Sequence, residues 1–287
     1  MQLIIDSGGT KADFALIRNE KVIELGEMDG FNPTISQGIV LEKTISKNNL
    51  IQQHFGSIEK VIFYGAGMAK PANIKLVGNI LGDLFVNADI ELYEDMLGAI
   101  HAANMISTGD KIVGILGTGC NLSLVRGNVT TPAGVSLGFI LGDEGSGAYI
   151  GKKVLTAALR EKLDNHFLKA LHEYLGINSK ADIVTTLYKH PKPNRFLGSL
   201  SKLVNVHIGI ESVRELVEDS FQDFVDHKLS IFRDYQSLPI YFVGSVAKHF
   251  EEILKEILLR NNYNFNQVIH RPIELLVKYQ LKTINKT

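Results

Sequence analysis

The sequence predicts an α/β protein made of two related halves, and three observations carry that expectation. The chain opens with a short apolar strand, residues 2–5, that enters the glycine turn Asp6-Ser-Gly-Gly-Thr10 and leaves it as a second strand, 12–18. This is strand–turn–strand, not strand–glycine–helix. The same order returns far along the chain: an apolar strand at 111–116, the turn Gly117-Thr-Gly-Cys-Asn121, and a strand at 122–126. Third, five glycines and the adjacent carboxylates Asp143 and Glu144 crowd into Leu137-Gly-Phe-Ile-Leu-Gly-Asp-Glu-Gly-Ser-Gly-Ala-Tyr-Ile-Gly151. Glycine weakens regular elements and is used where backbone turns sharply or approaches a ligand. Such a window suits a loop that presents carboxylates to a small polar molecule. It runs into a helical stretch from Ala148, so it also sits at a helix N-terminus, where anions are expected to be stabilised.

The remaining elements follow from periodicity. Residues 21–27 give a third strand after the turn at Arg18-Asn19-Glu20, and 40–54 have helical spacing. A buried strand at 60–64 ends in Gly65-Ala-Gly67 and precedes a helix near 74–84. Residues 90–93 form a strand leading to Glu94-Asp95, and 96–105 a helix. Beyond the second turn pair, Gly127-Asn128 makes a turn, and the chain is mostly helical over 148–190 and 199–233, with Pro191-Lys-Pro193 a loop. Residues 239–243 are the last strand expected, entering Gly244-Ser-Val-Ala247 and a helix over 248–260; a final helix covers 273–280. Ser107-Thr-Gly-Asp110 breaks the pattern and marks the boundary between halves.

Bulk properties narrow the function. With 287 residues, 45% of them hydrophobic, the chain can bury one large core or two modest ones. A net charge of -1 gives no electrostatic case for nucleic acid. The single cysteine, Cys120, excludes a disulfide framework or a cysteine-rich metal site within the chain, and the nine histidines show no metal-type pairing. Met1-Gln-Leu-Ile-Ile-Asp6 lacks the basic flank and long apolar run of a signal peptide, and no later run is long enough to span a bilayer. A cytoplasmic protein without a membrane partner is expected.

Three constellations can carry chemistry. In Asp6-Ser-Gly-Gly-Thr-Lys11 the glycines expose successive N–H groups to a phosphate, Thr10 adds a hydroxyl, and Asp6 suits Mg²⁺ held through water. Gly117-Thr-Gly-Cys-Asn121 repeats that context. A thiol at Cys120, beside turn N–H groups, is expected to favour its thiolate and to be reachable. Asp95, at a strand end with Gly98 a turn later, can take the proton of an alcohol that attacks phosphorus, or it can be a helix N-cap. Glu94 and Asp89 compete for the catalytic role.

In this order the motifs resemble the N-acetylglucosamine kinase-like family, grouped with the BadF/BadG/BcrA/BcrD ATPases in the actin/Hsp70/hexokinase superfamily. The matching stretches are Asp6-Ser-Gly-Gly-Thr10, Gly117-Thr-Gly-Cys-Asn121, Gly142-Asp-Glu-Gly-Ser146 and Phe242-Val-Gly-Ser-Val-Ala247, across essentially the whole chain. The resemblance implies two ribonuclease H-like domains, 1–106 and 107–270, with the C-terminal helix 271–287 joined to the first and a nucleotide cleft between domains. It implies ATP-dependent phosphorylation of a hexose or amino sugar, N-acetylglucosamine or glucosamine at the 6-hydroxyl, with ATP and Mg²⁺ as cofactors; a homodimer is expected. Asp95 becomes the general base. Asn32, Gly119, Asn121, Asp143 and Glu144 would join it at the sugar. Gly8, Gly9, Thr10, Lys11, Gly117 and Thr118 would face ATP phosphates, and Gly244 and Ser245 the nucleoside. Cys120 stands where the family has serine, Gly244-Ser245 where it often has two glycines, and Leu137 where an aromatic residue is common.

Two other functions share this framework: a non-catalytic sugar or ATP sensor, and a BadF-type ATPase acting on a protein partner. The activating ATPases of that group hold an iron–sulfur cluster through cysteines, which Cys120 alone, inside a phosphate turn, cannot do.

Overall fold

Short apolar strands joined by glycine or Asn-Glu turns pair locally, so each half of the chain starts as a meander. In the computed structural model, which describes residues 1–35, 37–177 and 179–284, β1 (Gln2–Ser7), β2 (Lys11–Arg18) and β3 (Lys21–Asp29) are antiparallel neighbours. Then follow α1 (Gly38–Ser46), α2 (Asn49–Gln52), β4 (Lys60–Gly65), α3 (Pro71–Leu84), β5 (Asp89–Glu94) and α4 (Asp95–Asn104). β4 lies parallel to β1, and β5 parallel to β4, giving the order β3-β2-β1-β4-β5.

The second half repeats this plan. β6 (Lys111–Leu116), β7 (Cys120–Arg126) and β8 (Val129–Pro132) form the meander. After them come α5 (Gly138–Leu141), α6 (Gly147–Leu159), α7 (Asn165–Leu175), α8 (Lys180–Lys189), α9 (Pro193–Val206) and α10 (Glu211–His227). The parallel strands β9 (Ile240–Val243) and β10 (Phe265–Ile269) enclose α11 (Ser245–His249) and α12 (Glu251–Arg260), and α13 (Pro272–Ile284) ends the described chain. The sheet order, β10-β9-β6-β7-β8, is that of the first sheet strand for strand. Such identity of order and direction is the duplication that the two glycine turns predicted. The fold is α/β, with the same sheet plan built twice.

Contacts divide the chain into two units: Met1–Thr108 together with the segment that begins at Arg271, and Gly109–His270. Each unit has its own core. Leu3, Ile5, Phe14, Leu16, Val61 and Phe63 of the first sheet pack on Leu41, Val77 and Leu81 of its helices. In the second unit Ile112, Leu122, Ile240 and Phe242 pack with Val154, Phe221, Phe224 and Leu254. Among the described residues no helix is long and apolar enough to cross a membrane.

Several expected elements are corrected. The helical stretch 40–54 is two helices, because the Asn48 side chain accepts from the N–H groups of Leu50 and Ile51 and starts a new one. β8 and β10 were not anticipated. Val129-Thr-Thr-Pro is an exposed edge strand with no apolar face, and the polar Asn266-Gln267 hides the strand pattern of β10. The strand at 239–243 is therefore not the last. α9 begins at Pro193, inside the expected loop, because proline fits the first turn of a helix. Residues 178 and 285–287, which fall in expected helical stretches, lie outside the described residues.

Candidate active site

In the first unit, register places a row of side chains across one face of the sheet. Glu27 pairs with Asp13, Asp13 with Asp6, Asp6 with Tyr64, and Tyr64 with Tyr93. Paired residues on neighbouring strands share a face. The row is acidic at β1–β3 and aromatic at β4–β5. α4 follows β5 directly, and its first residue, Asp95, comes within electrostatic reach of Asp6.

These carboxylates are strained by their surroundings. Burial, and then the charges of Asp13 and Asp95, push the Asp6 carboxyl up to about 7. Burial likewise raises Asp95 to about 6; the Met96 N–H opposes that shift and Glu94 adds to it. Both keep an accessible edge, yet the protein around them removes most of their water. Asp95 is not the helix N-cap. That place belongs to Glu94, whose side chain caps nothing, and Asp95 Oδ1 instead accepts from its neighbour Met96 N at 2.8 Å. A carboxylate oriented by backbone and raised toward neutrality suits a general base.

Asp6 makes no ion pair within 4.0 Å among the described residues, whereas Asp13 is met by Lys11 at 3.3 Å. No three His, Cys, Asp or Glu side chains among the described residues converge on one metal position. A cation at Asp6 would keep water as its other ligands, the habit of Mg²⁺. The acid cluster fits such an ion in charge and donor type. One consequence is measurable. The folded carboxyl of Asp6, at about 7, lies above its ordinary 3.8, so the folded state holds a proton that the unfolded chain releases. Its contribution to stability is complete below the unfolded value and is lost as pH rises through the folded one, across about pH 4 to 7. In metal-free buffer, Asp6→Asn is expected to gain melting temperature on the wild type over that window. An unchanged difference would show that Asp6 is not destabilised by its neighbours.

The first glycine turn is locked from behind. Gly8 N donates to Lys11 O at 3.0 Å, and Gly30 N to Thr10 O at 2.9 Å. The hydroxyl of Ser7 accepts from Phe31 N at 2.9 Å. A side chain on Gly30 would strike Gly8 O at 2.2 Å, while one on Gly9 would meet nothing within 4 Å. The turn is thus tight on its protein side and open on its outer side, where a phosphate could approach. The Lys11 ammonium meets Glu27 at 2.6 Å and Asp13 at 3.3 Å. Asn32 is held in the loop after β3, its Oδ1 accepting from Thr34 N at 2.9 Å. Only glycine at 67 leaves room for it, since a Cβ there would lie 2.2 Å from Asn32 Oδ1.

The second unit brings its predicted residues together around the Gly117–Gly119 turn. A Cβ on Gly117 would meet nothing within 4 Å, whereas one on Gly119 would lie 3.2 Å from Asp143 Oδ2. Asp143 adopts φ 58, and its carboxylate accepts from the Cys120 N–H. Glu144 is only 9% exposed, and among the described residues its Oε2 has no hydrogen-bond partner. An unpartnered buried acceptor is costly and points to a donor from a ligand. Asn121 Oδ1 accepts from Leu122 N at 2.9 Å, leaving its amide NH₂ group outside that bond. Gly244, with φ 111, needs its glycine for packing: a Cβ would strike Leu116 O at 2.3 Å. Ser245 begins α11 directly after it.

Two expectations fail here. The N-terminus of α6 is not a vacant anion site. Gly147 N donates to Gly117 O at 2.8 Å and Ala148 N to Thr118 O at 3.1 Å, while the Ser146 hydroxyl accepts from Tyr149 N. Those N–H groups brace the turn instead. Cys120 is not an activated thiol either. It is 5% exposed within the core, and burial pushes its pKa up, against a smaller opposite effect of Lys228. Its side chain belongs to the hydrophobic core of the second unit.

Sequence reasoning missed two members of these sites. Asp13 lies opposite Asp6 by hairpin register alone, so counting back across the turn finds it. Lys228, 7% exposed at the end of α10, favours the charged forms of Asp143 and Cys120 and makes no ion pair within 4.0 Å among the described residues. Nothing in its sequence neighbourhood marks it.

Comparison with known structures finds proteins of the same fold, although no protein-family model matches the chain. A structure from Porphyromonas gingivalis, described as a "putative N-acetylglucosamine kinase", is 33% identical, with a TM-score of 0.89 over 99% of this chain and 100% of that one. A second protein of that description, from Chromobacterium violaceum, shares the fold at 18% identity and TM-score 0.67 over 97% and 98% of the two chains. A ROK hexokinase from Thermus thermophilus does so at 15% and 0.51, over 99% of each. Two glycine turns on duplicated sheets, with acids at the strand ends, define a sugar kinase-type protein of the actin/hexokinase superfamily. Within it, the chain belongs to the N-acetylglucosamine kinase-like family.

Proposed function

We propose that this protein transfers the γ-phosphoryl group of ATP to the 6-hydroxyl of a hexose or amino sugar, with N-acetylglucosamine and glucosamine the first candidates. The observation that carries the reading is Asp95, a backbone-oriented carboxyl raised to about 6 beside the acid pair Asp6 and Asp13. At neutral pH it is ionised yet basic enough to take a hydroxyl proton as the oxygen–phosphorus bond forms. The proton passes from the sugar hydroxyl to Asp95, and ADP leaves with the electrons of the broken bond.

Mg²⁺ bound with ATP neutralises charge on the phosphates, and Asp6 would hold it through water. In each unit by itself, the outer side of the glycine turn is open, at Gly9 in the first and at Gly117 in the second, and would admit a phosphate, with Gly8 and Thr10 beside the one and Thr118 beside the other. Gly244 and Ser245 would border the nucleoside. For the sugar, the residues assigned in the second unit are Gly119, Asn121, Asp143 and Glu144; in the first unit, taken by itself, the residue assigned is Asn32. The orphaned Glu144 Oε2 would accept from a sugar hydroxyl. A screen of ADP release with glucosamine, N-acetylglucosamine, N-acetylmuramic acid and glucose tests the reading. Stimulation by one of the first two is expected; release that no sugar raises above the sugar-free rate would favour a sensor or an ATPase.

A further inference from the structure

Tyr64 is fully buried in β4 and forms the hub of a polar chain across three elements of the first unit. Gln280 Nε2, on α13, donates to the Tyr64 hydroxyl at 2.6 Å. That hydroxyl lies 3.0 Å from His101 Nδ1, on α4. The amide nitrogen can only donate, so the phenol oxygen accepts from Gln280, and its own hydrogen is then available to His101 Nδ1. Burial lowers the His101 pKa to about 4, which favours the neutral ring; the Nε2–H tautomer of that ring would accept the phenol hydrogen at Nδ1. Its ring stacks on Tyr279 of α13 with centroids 3.9 Å apart, and the Tyr64 ring stacks on Tyr93 at 5.2 Å. One turn nearer the start of α4, Gly98 rests on the same tyrosine: a Cβ there would lie 3.1 to 3.2 Å from three Tyr64 atoms. Asp95, Gly98 and His101 follow at intervals of three, along one side of the helix.

We propose that Tyr64, His101 and Gln280 are positioning residues for the phosphoryl transfer. They seat two turns of α4 on β4 and brace them with α13, and so fix where Asp95 carries its carboxylate. This rests on Asp95 being the base. Side chains that hold a reacting group within a fraction of an ångström carry rate without touching substrate. A purely structural role would cost stability without discriminating between kcat and KM, and would not depend on Asp95.

The test is a double-mutant cycle on the full chain with ATP and the sugar found to be turned over. Tyr64→Phe is expected to lower kcat about ten- to a hundredfold, with both KM values changed less than about twofold. In the Asp95→Asn background it should change the residual rate by less than about twofold, since the group it positions is gone. His101→Asn offers an amide oxygen to the Tyr64 hydrogen and should recover most of what His101→Leu loses. The proposal is overturned if Tyr64→Phe slows both backgrounds by the same factor, or if the two His101 variants lose equally. Should Tyr64→Phe fail to fold, the His101 pair decides. Near-normal turnover of Asp95→Asn alone would instead remove the base assignment, and this inference with it.

Discussion

Asp95→Asn is expected to cut turnover by at least about a hundredfold while ATP and sugar still bind, because a general base contributes about 10²–10⁴ to such a transfer. The substitution keeps the shape and an acceptor for the Met96 N–H, at 2.8 Å in the wild type, so the start of α4 should survive. What it removes is the ability to take a proton. The pH profile gives a second reading of the same residue. A base must be ionised to act, so kcat/KM should rise with pH through about 6, where burial has placed the Asp95 carboxyl, and fall below it. Because Asp6 titrates nearby at about 7, the acid limb will report the pair rather than one group. Asp95→Asn should lose its part of that limb. Normal turnover in this variant would move the role to Glu94, the adjacent carboxylate at the end of β5.

Asp143→Ala should weaken sugar binding about tenfold to a hundredfold or more, since an unmade polar contact in a closed site costs about 1–3 kcal/mol, and should leave ADP affinity nearly unchanged. Part of the effect will be local. The wild-type carboxylate accepts from the Cys120 N–H and borders Gly119, so its loss also leaves a backbone donor of the second turn without that partner. Asp143→Asn separates the two, because it keeps an acceptor for the N–H but removes the charge that Lys228 faces. Calorimetry that shows ADP weakened and sugar unaffected would move the Gly142-Asp-Glu-Gly-Ser146 loop to the nucleotide.

The duplicated meander was legible because each glycine turn is flanked by apolar runs, and hairpins are local structures whose register the chain itself sets. β8 and β10 escaped because an exposed edge strand and a strand with a polar centre lack alternation. At the candidate sites, the residues that sequence singles out are those on turns and strand ends: Asp6, Asn32, Asp95, Asn121, Asp143. Environment was not legible. Whether a thiol at Cys120 meets turn N–H groups or the core depends on which way one side chain of a hairpin faces. Likewise, the N–H groups of α6 look vacant in sequence until the turn carbonyls of Gly117 and Thr118 are seen to use them. Lys228 and the chain from Gln280 through Tyr64 to His101 arise from contacts between distant segments, which no local pattern records.

The central claim is phosphoryl transfer from ATP to a sugar hydroxyl, and phosphorus-31 NMR of the product tests it most directly. Incubated with MgATP and N-acetylglucosamine or glucosamine, the wild-type protein should give ADP and a sugar phosphomonoester in equal amounts, with phosphorus coupled to the protons on carbon 6, and Asp95→Asn should give neither at a comparable rate. Free inorganic phosphate in place of the ester, or an ester on another hydroxyl, would contradict the account.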